Sequence, residues 1–242
     1  MMEYKHKPRP ERLREIIIGQ TLVTLLIVAI TIYLVFLGLG YKINWTTKSI
    51  EHTGILYLSY IPKDANVNIS GTDYTKNSPF SVSLLPGDYT AKVSKEGYRD
   101  WEHNTKIIAD RVISFKNIIL FKTDPTAEQI TDQDTINSIN APYDILVRNP
   151  KGDLDFNDYE IWHGDQLVTR FSTKIHGVIW YPGSEYIAFQ QGNQIRVIEK
   201  DGSNDTLLIT LISDSPTNFI FSWEGSTLLF KDGELYKKAI IN

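Results

Sequence analysis

FSVSLLPGDYTAKV, residues 80–93, places Phe80, Val82 and Leu84 in one alternating run and Tyr89, Ala91 and Val93 in a second, with Pro86–Gly87 between. Side chains alternate between the two faces of a strand, so each run reads as a half-buried antiparallel strand. Val67 and Ile69 repeat the pattern upstream. Pro62, Ser70–Gly71, Ser78–Pro79, Pro86–Gly87 and Gly97 punctuate these runs every 8–10 residues, a spacing that predicts a small all-β sandwich. Gly54–Tyr60 and Val112–Phe121 bracket it and are expected as its first and last strands. Pro86–Gly87 suits the corners of a type II turn, with proline fixing one φ and glycine supplying a positive one.

Upstream, the pattern changes. Residues 16–40, IIIGQTLVTLLIVAITIYLVFLGLG, hold no charged residue. A 25-residue helix rising about 1.5 Å per residue exceeds a hydrocarbon core of about 30 Å, and it has no polar face to turn to solvent. The stretch is therefore expected as a transmembrane helix. It is longer than the apolar part of a signal peptide and is not followed by an Ala-x-Ala cleavage motif. Lys5, Lys7, Arg9, Arg12 and Arg14 precede it, whereas only Lys42 and Lys48 follow closely. Positive flanks stay cytoplasmic, so the N-terminus is expected inside and the rest of the chain outside. The leader carries +2 and residues 41–242 carry −6. Tyr41 and Trp45 are expected near the outer interface.

Downstream, residues 123–140 are polar and contain Pro125, and read as a linker or as a linker running into a first outer strand. Strands then resume as a diffuse repeat. IWYPGSEYIAF (179–189) resembles IFSWEGSTLLF (220–230) at an offset of 41, and YDILVR (143–148) matches EYIAFQ (185–190) at 42. Second strands follow at Tyr159–Trp162, Gln194–Ile198 and Glu234–Ala239. Repeats of about 40–45 residues with several short strands characterise β-propeller blades. The 120 residues from 123 onward suffice for about three blades, whereas closed propellers use about four to eight, so the expectation is an incomplete propeller from a longer protein, with a compact open sheet or association of copies as the alternatives.

Several motifs resemble a known family. Pro62-Lys63-Asp64-Ala65, Val67-Asn68-Ile69-Ser70-Gly71, Ser78-Pro79-Phe80, Leu85-Pro86-Gly87-Asp88-Tyr89 and Gly97-Tyr98-Arg99-Asp100-Trp101 occur in the order seen in PEGA domains, small β-sandwich modules of bacterial and archaeal envelope proteins. Residues 53–122 thus resemble a PEGA domain, with Lys63 and Asp64 replacing the usual Glu and Gly. Trp180-Tyr181-Pro182-Gly183-Ser184 and, without its proline, Ser222-Trp223-Glu224-Gly225-Ser226 resemble the turns of Tol-type propeller repeats. The combination implies an envelope location and an architecture more than a chemistry.

Composition narrows the chemistry. With no cysteine, disulfide scaffolds, thiolate metal sites, cysteine nucleophiles and a lipid-modified N-terminal cysteine are excluded. A net charge of −4 argues against nucleic acid as a partner. The five histidines show no metal-ligand spacing, and there is no Walker loop, Gly-x-Gly-x-x-Gly, His-Glu-x-x-His or nucleophile elbow. No catalytic residue and no cofactor are expected. Asp153, Asp155 and Asn157 open a stretch resembling an EF-hand loop, but Asp158 replaces the required Gly and Gly164 the required Glu. A solvated acidic loop without metal is therefore the expected reading, with Asp153, Asp155 and Asn157 as the metal candidates weighed against it. Tyr98, Trp101, Trp180 and Trp223 are candidate ligand-facing aromatics, with packing as the alternative role.

The expected protein is thus mainly β, with a cytoplasmic tail (1–15), a transmembrane helix (16–40), a juxtamembrane linker (41–52), a PEGA-like sandwich (53–122), a linker (123–140) and about three propeller-like blades (141–242). Its expected role is a non-catalytic, membrane-anchored binding or scaffolding protein whose partners are the membrane and envelope proteins. Binding of cell-wall or surface polysaccharide is the alternative, and an envelope enzyme the remote third.

Overall fold

A computed structural model describes residues 9–45, 48–141, 153–183 and 185–242. The chain is mainly β, with an apolar N-terminal helix, α1 (Arg9–Gly38), and a short second helix, α2 (Gln133–Asn140). Two compact units emerge. One holds the residues through Leu56 with Val82–Gly87 and Lys106–Ile113; the other holds Tyr57–Ser81, Asp88–Thr105 and Ser114–Asn242.

In the first unit, the stretch Leu13–Gly38 of α1 is long and apolar enough to cross a membrane, and none of it is buried. Its threonines do not break the pattern. Thr21, Thr24 and Thr31 donate their hydroxyls to the carbonyls of Ile17, Gln20 and Ile27, at 2.8, 2.9 and 2.8 Å. Each thus satisfies its polar group within the helix, as a lipid environment requires. Gly40, at φ +81°, turns the chain into a hairpin of β1 (Tyr41–Asn44) and β2 (Ser49–His52). The expected linker at 41–52 thus contributes two paired strands. Ile43 pairs across from Ile50, the kind of apolar cross-strand pair that stabilises a ribbon, and Tyr41 stacks on Phe36 of α1 with ring centroids 4.5 Å apart.

The expected sandwich strands form. β3 (Gly54–Ile61), β6 (Phe80–Leu84) and β9 (Val112–Ile119) make one sheet in the order β6-β3-β9. β4 (Asn66–Ile69), β5 (Thr72–Tyr74), β7 (Gly87–Ser94) and β8 (Trp101–Ile107) make another, in the order β5-β4-β7-β8. Val67, Ile69, Ala91 and Val93 are buried, as their alternation predicts. Pro86–Gly87 differs from expectation. The flanking strands belong to different sheets, and Gly87 stands at φ +156°, nearly extended, so this corner carries the chain from sheet to sheet without a type II turn.

Within the second unit, three meanders follow. They are β11 (Leu154–Phe156), β12 (Glu160–His163) and β13 (Gln166–Arg170); then β14 (Ile175–Trp180), β15 (Tyr186–Gln191), β16 (Gln194–Glu199) and β17 (Thr206–Thr210); then β18 (Phe219–Phe221), β19 (Thr227–Asp232) and β20 (Leu235–Ile240). The 41-residue offset recurs in the strands: β15 maps onto β19 and β16 onto β20 at both ends. The remaining repeat copy, at 143–148, lies outside the described residues. β15 explains the packing. Tyr186 and Ala188 join one buried cluster while Ile187 and Phe189 join another, so this strand is apolar on both faces and the second meander is the middle layer of the core.

Residues 123–140 are not simply a linker. Residues Ala127–Gln129 form β10, which pairs with β20 and completes the last meander as an outer strand. α2 follows, capped by Asp132, whose carboxylate accepts from Thr135 N at 2.9 Å, and anchored by the fully buried Ile139. The chain also does not divide into compact units at residue 122, because β3 and β9 each contribute to both.

Candidate functional site

The best-formed candidate site in the second unit begins on β8. Residues two apart on a strand share a face, so Trp101 and His103 project together. Their rings lie nearly parallel with centroids 5.9 Å apart, and Phe115 of β9 closes on both, at 5.3 Å from Trp101 and 4.6 Å from His103. Opposite them stand the end of β16, at Glu199, and the connection to β17. A cleft of about 250 Å³ opens here, bordered also by Ser114, Glu185, Lys200 and Asp201.

Three bonds tie β8 and its approach to this connection. Trp101 Nε1 donates to Glu199 Oε1, Glu102 N donates to Asn204 Oδ1 at 3.2 Å, and Arg99 Nε donates to the carbonyl of Leu207 at 3.0 Å. Ser203 orders the connection internally. Its hydroxyl, with one proton to give, lies 2.9 Å from Glu199 Oε2 and 2.6 Å from Asp201 Oδ1 and is shared between them, and its amide donates to Asp201 Oδ1 at 2.9 Å. Gly202 lies at φ +87°, and a Cβ there would fall 2.4 Å from the Val168 carbonyl oxygen, so the connection packs its backbone directly on the preceding meander. Tyr186 lies beneath. Its hydroxyl accepts from Ile119 N at 3.0 Å, and burial, reinforced by the charge of Glu199, pushes its phenol far above the ordinary tyrosine range.

The carboxylates of Glu199 and Asp201 and the imidazole of His103 converge on this cleft, each offering an atom within 4.8 Å of the other two. Sequence spacing conceals the trio, since His103 stands almost a hundred residues before its partners.

The expected metal-loop residues do other work. Asp153 Oδ2 lies 3.1 Å from His163 Nε2, and Asp155 accepts from the amide of Phe156 at 2.8 Å. Asn157 Oδ1 caps a turn by accepting from Tyr159 N and Glu160 N, at 2.8 and 2.9 Å. Asp158 pairs with Lys174. β11 and a turn replace the EF-hand geometry, because the glycine such a loop needs is Asp158. Nearby, Glu160 accepts from Asn157, Arg170 and Trp162, which hold its carboxyl below the usual range.

The four candidate aromatics do not form one platform. Trp101 and Trp180 are buried, Trp180 edge-on to His163 with centroids 5.4 Å apart. Tyr98 is half-buried at a bridge to Lys122, with the Lys95 ammonium 5.5 Å from its ring centroid. Trp223 alone of the four is fully open, at 95% exposure.

Comparison with known proteins agrees with this architecture in one region. Residues 53–119 match the PEGA domain. No curated protein matches the chain. Among solved structures, the chain is similar to an auxiliary nutrient binding protein from Bacteroides thetaiotaomicron at 10% identity, with a TM-score of 0.20. The match covers 70% of this chain and 57% of that one.

Proposed function

We infer that this chain is a non-catalytic, membrane-anchored binding or scaffolding protein of the bacterial cell envelope, with its N-terminus cytoplasmic and its β domains outside. The observation that carries this reading is α1: a helix whose residues 16–38 carry no charge, are not buried and hold threonine hydroxyls that are internally satisfied, joined to a segment matching the PEGA domain. Such a surface is unfavourable in water and suited to lipid. The five positive residues before it supply the orientation. Beyond the PEGA segment, the meanders act as Tol-type propeller-like blades and present their connecting loops to envelope proteins. The 41-residue offset preserved in two strand pairs supports this reading.

The absence of cysteine makes the topology directly testable. Trp223→Cys is expected to react with a membrane-impermeant maleimide in intact cells, and Lys5→Cys only after permeabilisation. The reverse pattern, or labelling of both only after lysis, overturns the assignment. A second reading, polysaccharide recognition, is favoured by Trp223, whose exposed indole suits stacking on a sugar ring. Binding on a glycan array that is lost in Trp223→Ala would establish it; no glycan binding leaves scaffolding.

A further inference from the structure

We propose that His103, Glu199 and Asp201 form a site for a divalent first-row transition metal ion, one that clamps β8 to the β16–β17 connection. One imidazole nitrogen and two carboxylate oxygens, each within 4.8 Å of the others, suit a borderline cation such as zinc. In a four-coordinate zinc site, ligands about 2.0–2.2 Å from the metal stand about 3.4 Å apart, so the trio needs to close by no more than about 1.4 Å.

The surroundings support binding in three ways. First, the carboxylates are brought together without a compensating cation. Among the described residues neither forms an ion pair, and the adjacent Lys200 is paired with Glu185 at 2.6 Å. Second, both are oriented from behind. Trp101 Nε1 and Ser203 Oγ hold Glu199, and Ser203 holds Asp201 through its amide and hydroxyl, while each carboxylate keeps lone pairs for a metal. Third, the His103 ring is fixed by Trp101 and Phe115 rather than by a polar partner: no hydrogen bond to its nitrogens occurs among the described residues. The cleft of about 250 Å³ leaves room for water or a partner's donor at the remaining coordination positions.

The test is zinc titration of the full chain in detergent micelles by calorimetry, with cobalt absorption as a second readout. The wild type should take up one equivalent at this site, with a rise in Tm, and Co²⁺ should give the visible bands of a low-coordinate nitrogen–oxygen site. His103→Gln and the surface-exposed Asp201→Asn should each weaken binding by at least about tenfold. Ser203→Ala, which removes only the orienting hydroxyl, should weaken it by about tenfold. His163→Gln removes a histidine elsewhere and should bind like the wild type. Absence of saturable one-equivalent binding overturns the proposal, as does binding that Asp201→Asn and His103→Gln both leave unchanged. The readout is independent of topology, so its failure is distinguishable from failure of the anchoring assignment.

Discussion

Substituting Gly225 by alanine tests how the second and third meanders are joined. Gly225 lies in the β18–β19 connection at φ +75°, and a Cβ there would sit 2.3 Å from the Tyr181 hydroxyl oxygen and 2.6 Å from its Cζ. Tyr181 cannot withdraw. It is fully buried, surrounded by the rings of Phe121, Tyr186 and Phe221, and its hydroxyl donates to the Gly225 carbonyl at 2.8 Å while accepting from Asn242 Nδ2 at 2.9 Å. Two costs therefore add. The left-handed backbone costs an alanine about 1–2 kcal/mol, and overpacking against a rigid ring costs about 1–3 kcal/mol more. For a folded unit of this size, the sum lowers Tm by about 4–20 °C. Gly233→Ala isolates the first cost: its φ is +61°, nothing lies within 4 Å of the added Cβ, and it belongs to the same sheet. Its expected loss is about 2–8 °C. Thermal unfolding of the full chain in micelles, followed by near-UV circular dichroism, provides the comparison. If Gly225→Ala is no more destabilising than Gly233→Ala, the turn is not packed on Tyr181 and the reasoning fails. Tyr181→Phe should relieve part of the clash, making the double variant less damaged than additivity requires.

Three further outcomes follow. Burial holds the Tyr181 phenol well above its ordinary pKa, whereas the unfolded chain releases that proton near about pH 10. Above that pH the unfolded state therefore binds fewer protons than the folded state and stability falls, so the urea midpoint should decline between about pH 9 and 11 and decline less in Tyr181→Phe. Ile139→Ala empties the fully buried anchor of α2 and should cost about 2–5 kcal/mol by urea denaturation; a loss under about 0.5 kcal/mol would show that α2 is not docked. Trp101→Phe keeps the ring packing but removes the donor to Glu199. A loss of about 1.5–3 kcal/mol is expected, and an unchanged midpoint would refute a role for that bond.

Features written in local periodicity were legible in the sequence. The charge-free run and the alternating strands depend on residues close together in the chain, and the 41-residue offset is a recurrence of such local patterns. What escaped was set by distant partners. The outer strand read as one alternative for residues 123–140 is only Ala127–Gln129, without an alternating apolar pattern of its own, and β20 offers the edge it pairs with. α2 is a short helix with Ile136 and Ile139 as its apolar residues, too few for periodicity to reveal. The Pro86–Gly87 corner has the residue types of a turn, yet its geometry follows from the two sheets it connects. The aromatic candidates divide for a related reason: a Trp motif records that an indole is present, while its exposure depends on what packs over it. Trp180, the last residue of β14, is covered, whereas Trp223, two residues beyond β18, is open.

The β16–β17 connection shows how such long-range placement creates a site. Its residues, Lys200 to Asp205, are polar and lack any motif, and read alone they describe a solvated turn. Gly202 presses that turn onto the Val168 carbonyl, Ser203 bridges Glu199 and Asp201, Glu102 N fastens the turn to the PEGA segment through Asn204, and Trp101 and Arg99 fasten the strand ends on either side of it through Glu199 and Leu207. The two carboxylates are consequently held beside His103 by bonds that do not involve His103 itself. A turn needed only for connection would place its acidic side chains in solvent, where like charges separate at little cost. Here both are oriented by the same serine, and the charge they concentrate faces a histidine whose ring nitrogens have no hydrogen-bond partner among the described residues.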